Sequence, residues 1–144
     1  LEKSLGAVAK GGTAPLSGVY KFGEKIDRKG FVFMDSPGFD PCSVTGQVAS
    51  GANMIVFTTG RGSVSGYKPT PCIKLATNSE MYQKMSEDMD LNCGDIVTAG
   101  VSIEEKGREL FELIVRVASG ERTKSEELGF GGAEFVPWQI GAGM

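Results

Sequence analysis

The chain contains no histidine in its 144 residues. That removes the usual general base and the commonest nitrogen ligand of a transition metal, so chemistry of either kind falls to other groups or to other segments. Cysteine is scarce and odd in number. Cys42, Cys72 and Cys93 are widely spaced and form no C-x-x-C pair, which argues against a disulfide framework or a zinc ribbon and fits a reducing cytoplasm. No apolar run nears the roughly 20 residues that span a bilayer, so no membrane role is expected. Clustered basic charge is missing too. The net charge is −3, and Arg122 and Lys124 sit among Glu121, Glu126 and Glu127, which excludes nucleic acid as the expected partner. Leu1-Glu2-Lys3-Ser4 is neither an initiator methionine nor the start of a signal peptide, and reads as a piece of a longer protein.

What is present suits one soluble globular domain, with 40% hydrophobic residues. Residues 1–30, rich in glycine and without lasting periodicity, read as an irregular lead-in from a preceding domain. Residues 31–120 read as an α/β core. Phe31 to Asp35 is a β-prone run ended by Ser36-Pro37-Gly38. Asp40 is placed to cap a helix with Pro41 at its first position, and Gly51 offers a left-handed stop. Met54 to Phe57 and Cys72 to Ala76 read as strands. A cap at Ser79 opens a helix whose Met81, Tyr82, Met85 and Met89 share a face, and Ile96-Val97 reads as a brief strand. Ser102 and Glu105 form a capping box for a helix running to Gly120. Residues 121–144 read as a tail docked by Phe135, Val136 and Trp138. Strands alternating with helices predict a Rossmann-like or flavodoxin-like, mainly parallel sheet flanked by helices, in a single domain.

One connection breaks that pattern. Between Phe57 and Cys72 no helical spacing supplies the usual crossover, and a structureless connection of roughly a dozen residues in a compact domain is more often functional than idle. It opens with Thr58-Thr59-Gly60-Arg61-Gly62-Ser63 directly after an apolar strand. Guanidinium prefers carboxylate or phosphate because its planar fork donates two parallel hydrogen bonds, and glycines let the main chain come close. Arg61 is therefore the candidate grip for a small acid, with Thr58, Thr59 and Ser63 as hydroxyl donors and Gly60 and Gly62 beside them. The bland alternative is a surface arginine on a loop.

Other candidates carry equally bland readings. Asp35 ends a strand where α/β sheets gather ligands, and with Asp40 it is placed to hold a divalent cation, or each simply serves a turn or a cap. Ser43 and Gln47 lie one turn apart near a helix N-terminus, as part of an anion site or of a solvated face. Lys74 interrupts an apolar strand, either on an edge facing water or as a buried amine with a lowered pKa suited to acid–base work. Asn78 ends the same strand and either reaches a ligand or caps the next helix. Cys93, a lone thiol, reads as structural. Neither Gly129-Phe130-Gly131-Gly132 nor Gly60-Arg61-Gly62 has the context of a nucleotide fingerprint or a P-loop.

The runs MDSPGFDPCSVTGQVASGAN, FTTGRGSVSGYKPTPCIKLATN, MSEDMDLNCG and ASGERTKSEELGFGGAEFVPW resemble the C-terminal region of the altronate and galactarate dehydratases. EKSLGAVAKGG resembles the segment just before it. The resemblance covers almost the whole chain, while family members also carry a small N-terminal domain and a middle domain. It implies removal of water from a sugar acid to give a 2-keto-3-deoxy acid, with a divalent metal, iron(II), whose ligands lie mostly outside this chain. It further implies those missing domains as partners, with a homo-oligomer open. On this reading Thr58 to Ser63, with Ser43, Gln47 and Asn78, bind the substrate, and Lys74 or Asp35 assists proton transfer. No metal ligand is assigned within the chain, and the isolated piece is expected to be inactive. The alternatives are part of the large subunit of a sulfolactate sulfo-lyase, or a non-catalytic module that binds an acid or builds an oligomer.

Overall fold

The computed structural model describes residues 1–136. The fold is mixed α/β, with small parallel sheets flanked by helices. Where the strand–helix alternation predicts one continuous sheet, the five strands among the described residues divide into a two-stranded and a three-stranded sheet, in two compact units.

The first unit spans Leu1–Gly51. Its opening, expected to be irregular, holds helix α1 (Glu2–Ala9) and strand β1 (Leu16–Tyr20), which pairs in parallel with β2 (Phe31–Met34). The connection between them has no helix. It folds back on itself through Tyr20 Oη donating to Asp27 (2.7 Å) and Arg28 donating to the Ser17 carbonyl (3.1 Å). Helix α2 (Asp40–Ala49) follows, with Phe39 rather than Asp40 as its cap and Asp40 inside the first turn, where its charge suits the helix dipole. Gly46 lets the Phe22 ring lie against the helix, since a Cβ there would come within 2.3 Å of the ring. Gly51 takes the positive φ that ends α2.

The second unit, over residues 52–136, is built on β3 (Ile55–Thr59), β4 (Cys72–Ala76) and β5 (Leu91–Asn92), all parallel in that order. Central β4 is buried along its length, so its two faces determine the packing. Ile73 and Leu75 meet Leu91 and the apolar stripe Leu110, Leu113, Ile114 and Val117 of α5 (Ile103–Ala118), whose capping box forms as the sequence predicts. On the other face Ala76 packs with Met81, Tyr82, Met85 and Met89, the predicted methionine cluster around α3 (Ser79–Lys84). The cap of α3 is Asn78, not Ser79: its side chain accepts the Met81 N–H (2.8 Å). Ile96-Val97 is not a strand but lies in the short helix α4 (Asp95–Thr98), because Gly94 and Asp95 start a turn before the β-branched pair can extend. The tail adds helix α6 (Lys124–Glu127), capped by a Thr123–Glu126 box. Phe135 remains exposed, and Trp138 lies outside the described residues. Among the described residues no helix is long and apolar enough to cross a membrane.

Candidate functional site

The parallel strands of the second unit direct their carboxyl ends to one rim, where open α/β sheets place ligands. Strand β3 runs into Thr58, Thr59 and Gly60 there, and β4 into Thr77 and Asn78. Three links hold the Arg61 loop to that rim. Thr59 Oγ1 accepts the main-chain N–H groups of Arg61 (3.2 Å) and Gly62 (3.1 Å). Asn78 Nδ2 donates to the Gly60 carbonyl (2.9 Å) while its Oδ1 caps α3. Gly62, at φ +90°, lies so close to Met85 that a Cβ would stand 2.0 Å from its sulfur. The loop is thus fixed, although two of the N–H groups that the glycines were expected to offer a ligand face the Thr59 hydroxyl instead. Ser63 is turned inward as well and accepts the Ser65 N–H (3.1 Å). What remains outward is the side chain of Arg61 with the exposed Thr58 and Gly60. Among the described residues no carboxylate pairs with Arg61.

Lys74 takes the buried of its two readings. It is 0% exposed on the central strand, and its amine donates to the Ser65 carbonyl (3.4 Å) and to Ser125 Oγ. Ser125 Oγ in turn donates to the Ser65 carbonyl (2.9 Å). Burial lowers the Lys74 pKa, partly opposed by the charge of Asp90. Asp90 Oδ2 accepts the Lys74 main-chain N–H (2.7 Å) and Oδ1 accepts that of Lys124 (2.9 Å), so one carboxylate joins the sheet to the start of α6. The amine therefore sits behind the Arg61 loop, tying its second half to α6. Sequence reading missed Ser65, Asp90 and Ser125. Only their polarity marked them, because the partners lie 9, 16 and 51 residues from Lys74 along the chain.

Cys72, two residues before Lys74, is pushed up to about 12 from its ordinary 9.0, first by burial and then by the Asp90 charge, with Lys74 opposing. An unfolded chain loses this proton above pH 9 while the folded chain keeps it, so stability falls as pH rises from about 9 toward 12. At pH 11 the loss is about 3 kcal/mol. Cys72→Val is expected to remove it. Urea midpoints of both proteins at pH 8 and pH 11 test this, and an equal decline in the two would assign the alkaline loss elsewhere.

A second polar network lies along the same rim. Asn92 Nδ2 donates to Ser79 Oγ (3.1 Å), Ser79 Oγ meets Thr98 Oγ1 (2.9 Å), and Asn92 Oδ1 accepts the Gly94 N–H (2.9 Å). The remaining candidates belong to the first unit. Asp35 is exposed just past β2, with its N–H bonded to the Tyr20 carbonyl (2.9 Å). Ser43 on α2 reaches back to Ser36 (3.0 Å), the residue after Asp35, and Gln47 is half-buried one turn further on. The chain thus brings together Thr58 to Arg61 with Asn78 in one unit, and in the other Ser43 with Ser36, the neighbour of Asp35. Among the described residues no group of three or more carboxylate or cysteine donors gathers to hold a metal, Asp35 and Asp40 included, so the described residues hold no complete ligand set for the implied iron.

The Arg61 loop thus stands at the carboxyl rim of a small parallel sheet flanked by helices, the part of α/β folds where small polar ligands are commonly received. The chain belongs to the D-galactarate/altronate dehydratase, C-terminal family, whose profile matches residues 1–143. It is 40% identical over 130 residues to the galactarate dehydratase (L-threo-forming) of Escherichia coli, covering 90% of this chain and 25% of that protein. With the altronate dehydratase of Bacillus subtilis it shares 35% identity over 129 residues, 90% of this chain and 26% of the relative. Identity is also 35%, over 136 residues, with the (2R)-sulfolactate sulfo-lyase subunit beta of Chromohalobacter salexigens, 94% of this chain and 34% of the relative. The chain thus spans about a quarter to a third of the length of these relatives.

Proposed function

We propose that this chain forms the carboxylate-gripping wall of a sugar-acid hydro-lyase acting on galactarate or altronate. The observation that supports it best is Arg61: exposed, without a carboxylate partner among the described residues, and carried on a loop that Thr59, Asn78 and Met85 hold still. Dehydration begins with loss of the proton on the carbon beside a carboxylate, which is very weakly acidic. The enediolate that forms needs a fixed cation against its oxygens. In this reading Arg61 and Thr58 take the substrate carboxylate, and the charge that develops there strengthens the grip as the proton leaves. Hydroxide departs from the next carbon with a proton, giving water and an enol that tautomerises to the 2-keto-3-deoxy acid. Lys74 acts as a positioning residue for the loop, through its bonds to Ser65 and Ser125. The divalent metal, iron(II), enters with other parts of the enzyme. A cytoplasmic setting suits the three cysteines, none of which forms a disulfide among the described residues.

The full-length enzyme carrying Arg61→Ala is expected to show a KM for galactarate or altronate raised about 100-fold, since a bidentate charge-assisted pair is lost. Unchanged kinetics would remove Arg61 from the site. The match to a sulfo-lyase subunit over 94% of the chain supports a second reading, in which the same cation holds sulfolactate and a C–S bond breaks. Assaying galactarate, altronate and sulfolactate side by side separates the two.

A further inference from the structure

Helix α5 buries one face against the sheet through Lys106, Leu110, Leu113, Ile114 and Val117, and leaves the opposite face outward. At 100° per residue that outward face carries Glu104, Arg108, Phe111, Glu112 and Val115, flanked by Gly107 and Arg116. Phe111 is 64% exposed and Val115 48%. We propose that this face is a two-fold interface between two copies of the chain, with the α5 helices packed antiparallel.

The charge pattern singles out a second copy as the occupant. Glu104, Arg108, Glu112 and Arg116 alternate in sign at intervals of one turn. Among the described residues Glu104, Arg108 and Glu112 make no ion pair, and Arg116 pairs with Glu121 (2.9 Å). Turned end for end about the level of Leu110, the series meets its own opposite. Arg108 faces Glu112 of the second copy, Glu104 faces Arg116, and each contact occurs twice by symmetry. A parallel arrangement would set like charge on like, so the pattern also fixes the direction.

Gly107 points to the same contact independently. Glycine weakens a helix interior, and here a Cβ would have open space within 4 Å, so nothing inside the fold calls for it. In the antiparallel arrangement Gly107 of one copy comes to the level of Leu113 of the other, at the flank of the contact, where the missing side chain lets the two helices approach. One face of a 16-residue helix offers less than the roughly 1,000 Å² of a stable interface, so the dimer is weak and exchanges rapidly.

The test is sedimentation equilibrium of the 144-residue protein over roughly a hundredfold range of concentration. The parent is expected to pass from monomer to dimer within that range. Arg108→Glu and Glu112→Arg, both at exposed positions, are each expected to weaken self-association about tenfold or more. An equimolar mixture of the two single variants should associate at least as well as the parent, because each cross-pair is then attractive. Far-UV circular dichroism checks that the helix survives. If a reversal unfolds it, Phe111→Ser addresses the same surface and is expected to abolish the dimer. A parent that is monomeric at every concentration, as when another segment covers this face, overturns the proposal. So does a mixture that associates no better than its components.

Discussion

Replacing Lys74 by alanine is expected to lower the stability of the second unit by about 3 kcal/mol, whereas Lys74→Met is expected to be nearly neutral or stabilising. The alanine variant leaves a cavity on the central strand and strips a donor from Ser125 and Ser65, which hold the Arg61 loop to α6. Methionine keeps most of the aliphatic stem and removes an amine that burial disfavours in its charged form. The sign of the pH dependence separates the two contributions. Burial lowers the folded-state pKa below its ordinary 10.5. Between that lowered value and 10.5 the unfolded chain binds more protons than the folded one, so this residue makes stability rise with pH. Lys74→Met lacks that slope but also removes a charge that opposes the rise of the Cys72 thiol, so the comparison is made in the Cys72→Val background, where the thiol's opposite trend is absent. Urea titrations across pH 7 to 11 read both effects. A methionine variant as unstable as the alanine one would show that the amine's hydrogen bonds, not its stem, hold the unit together.

How much of this was legible beforehand depends on how local each determinant is. The α5 capping box, the Gly51 stop, the β4 strand and the methionine face are encoded within a few residues, and each stands where spacing puts it. The α6 box has the same form, Thr123 followed by Glu126. A helix of four residues, however, has no apolar period to announce it. Strand β5 is two residues long, too short to alternate, and exists because Asp90 and Cys93 donate their N–H groups to the Lys74 and Ala76 carbonyls. Such pairing is a property of the sheet rather than of the segment. The same limit explains why β1, interrupted by Gly18, was read as irregular: its partner β2 supplies the order.

The site divides along the same line. That a helix-free loop between two parallel strands would carry the distinctive chemistry followed from composition, and Arg61 stands outward on it. Which donors the loop keeps for itself did not follow, because Thr59 competes with any ligand for the Arg61 and Gly62 N–H groups. Lys74 was ambiguous from sequence since edge and centre share one pattern of residues. Pairing with β5 on one side and β3 on the other decides it.

Gly94→Ala is expected to destabilise the second unit by at least about 3 kcal/mol and to weaken the hold on Arg61 at the same time. The backbone at Gly94, with φ −69° and ψ −19°, is open to any residue, so conformation is not the obstacle. Space is: a Cβ there would stand 2.1 Å from the Ser79 nitrogen and 2.4 Å and 2.5 Å from the carbonyl carbon and Cα of Asn78. All three are main-chain atoms that no rotamer change can move. The segment is also held inward by the Cys93 N–H on the Ala76 carbonyl (2.8 Å) and by Asn92 on Ser79 (3.1 Å), so relief requires breaking the rim network. Asn78, pushed from this side, is the residue that bonds Gly60 and caps α3, so the displacement passes directly to the loop carrying Arg61. Gly107→Ala supplies the contrast, since a Cβ on that exposed turn of α5 meets nothing and the better helix former is expected to stabilise by about 1 kcal/mol. Chemical denaturation at low protein concentration compares the two. A Gly94→Ala protein with the parent's midpoint would mean that the β5 turn and the α3 cap can separate freely, in which case Asn78 does not hold the arginine loop in place.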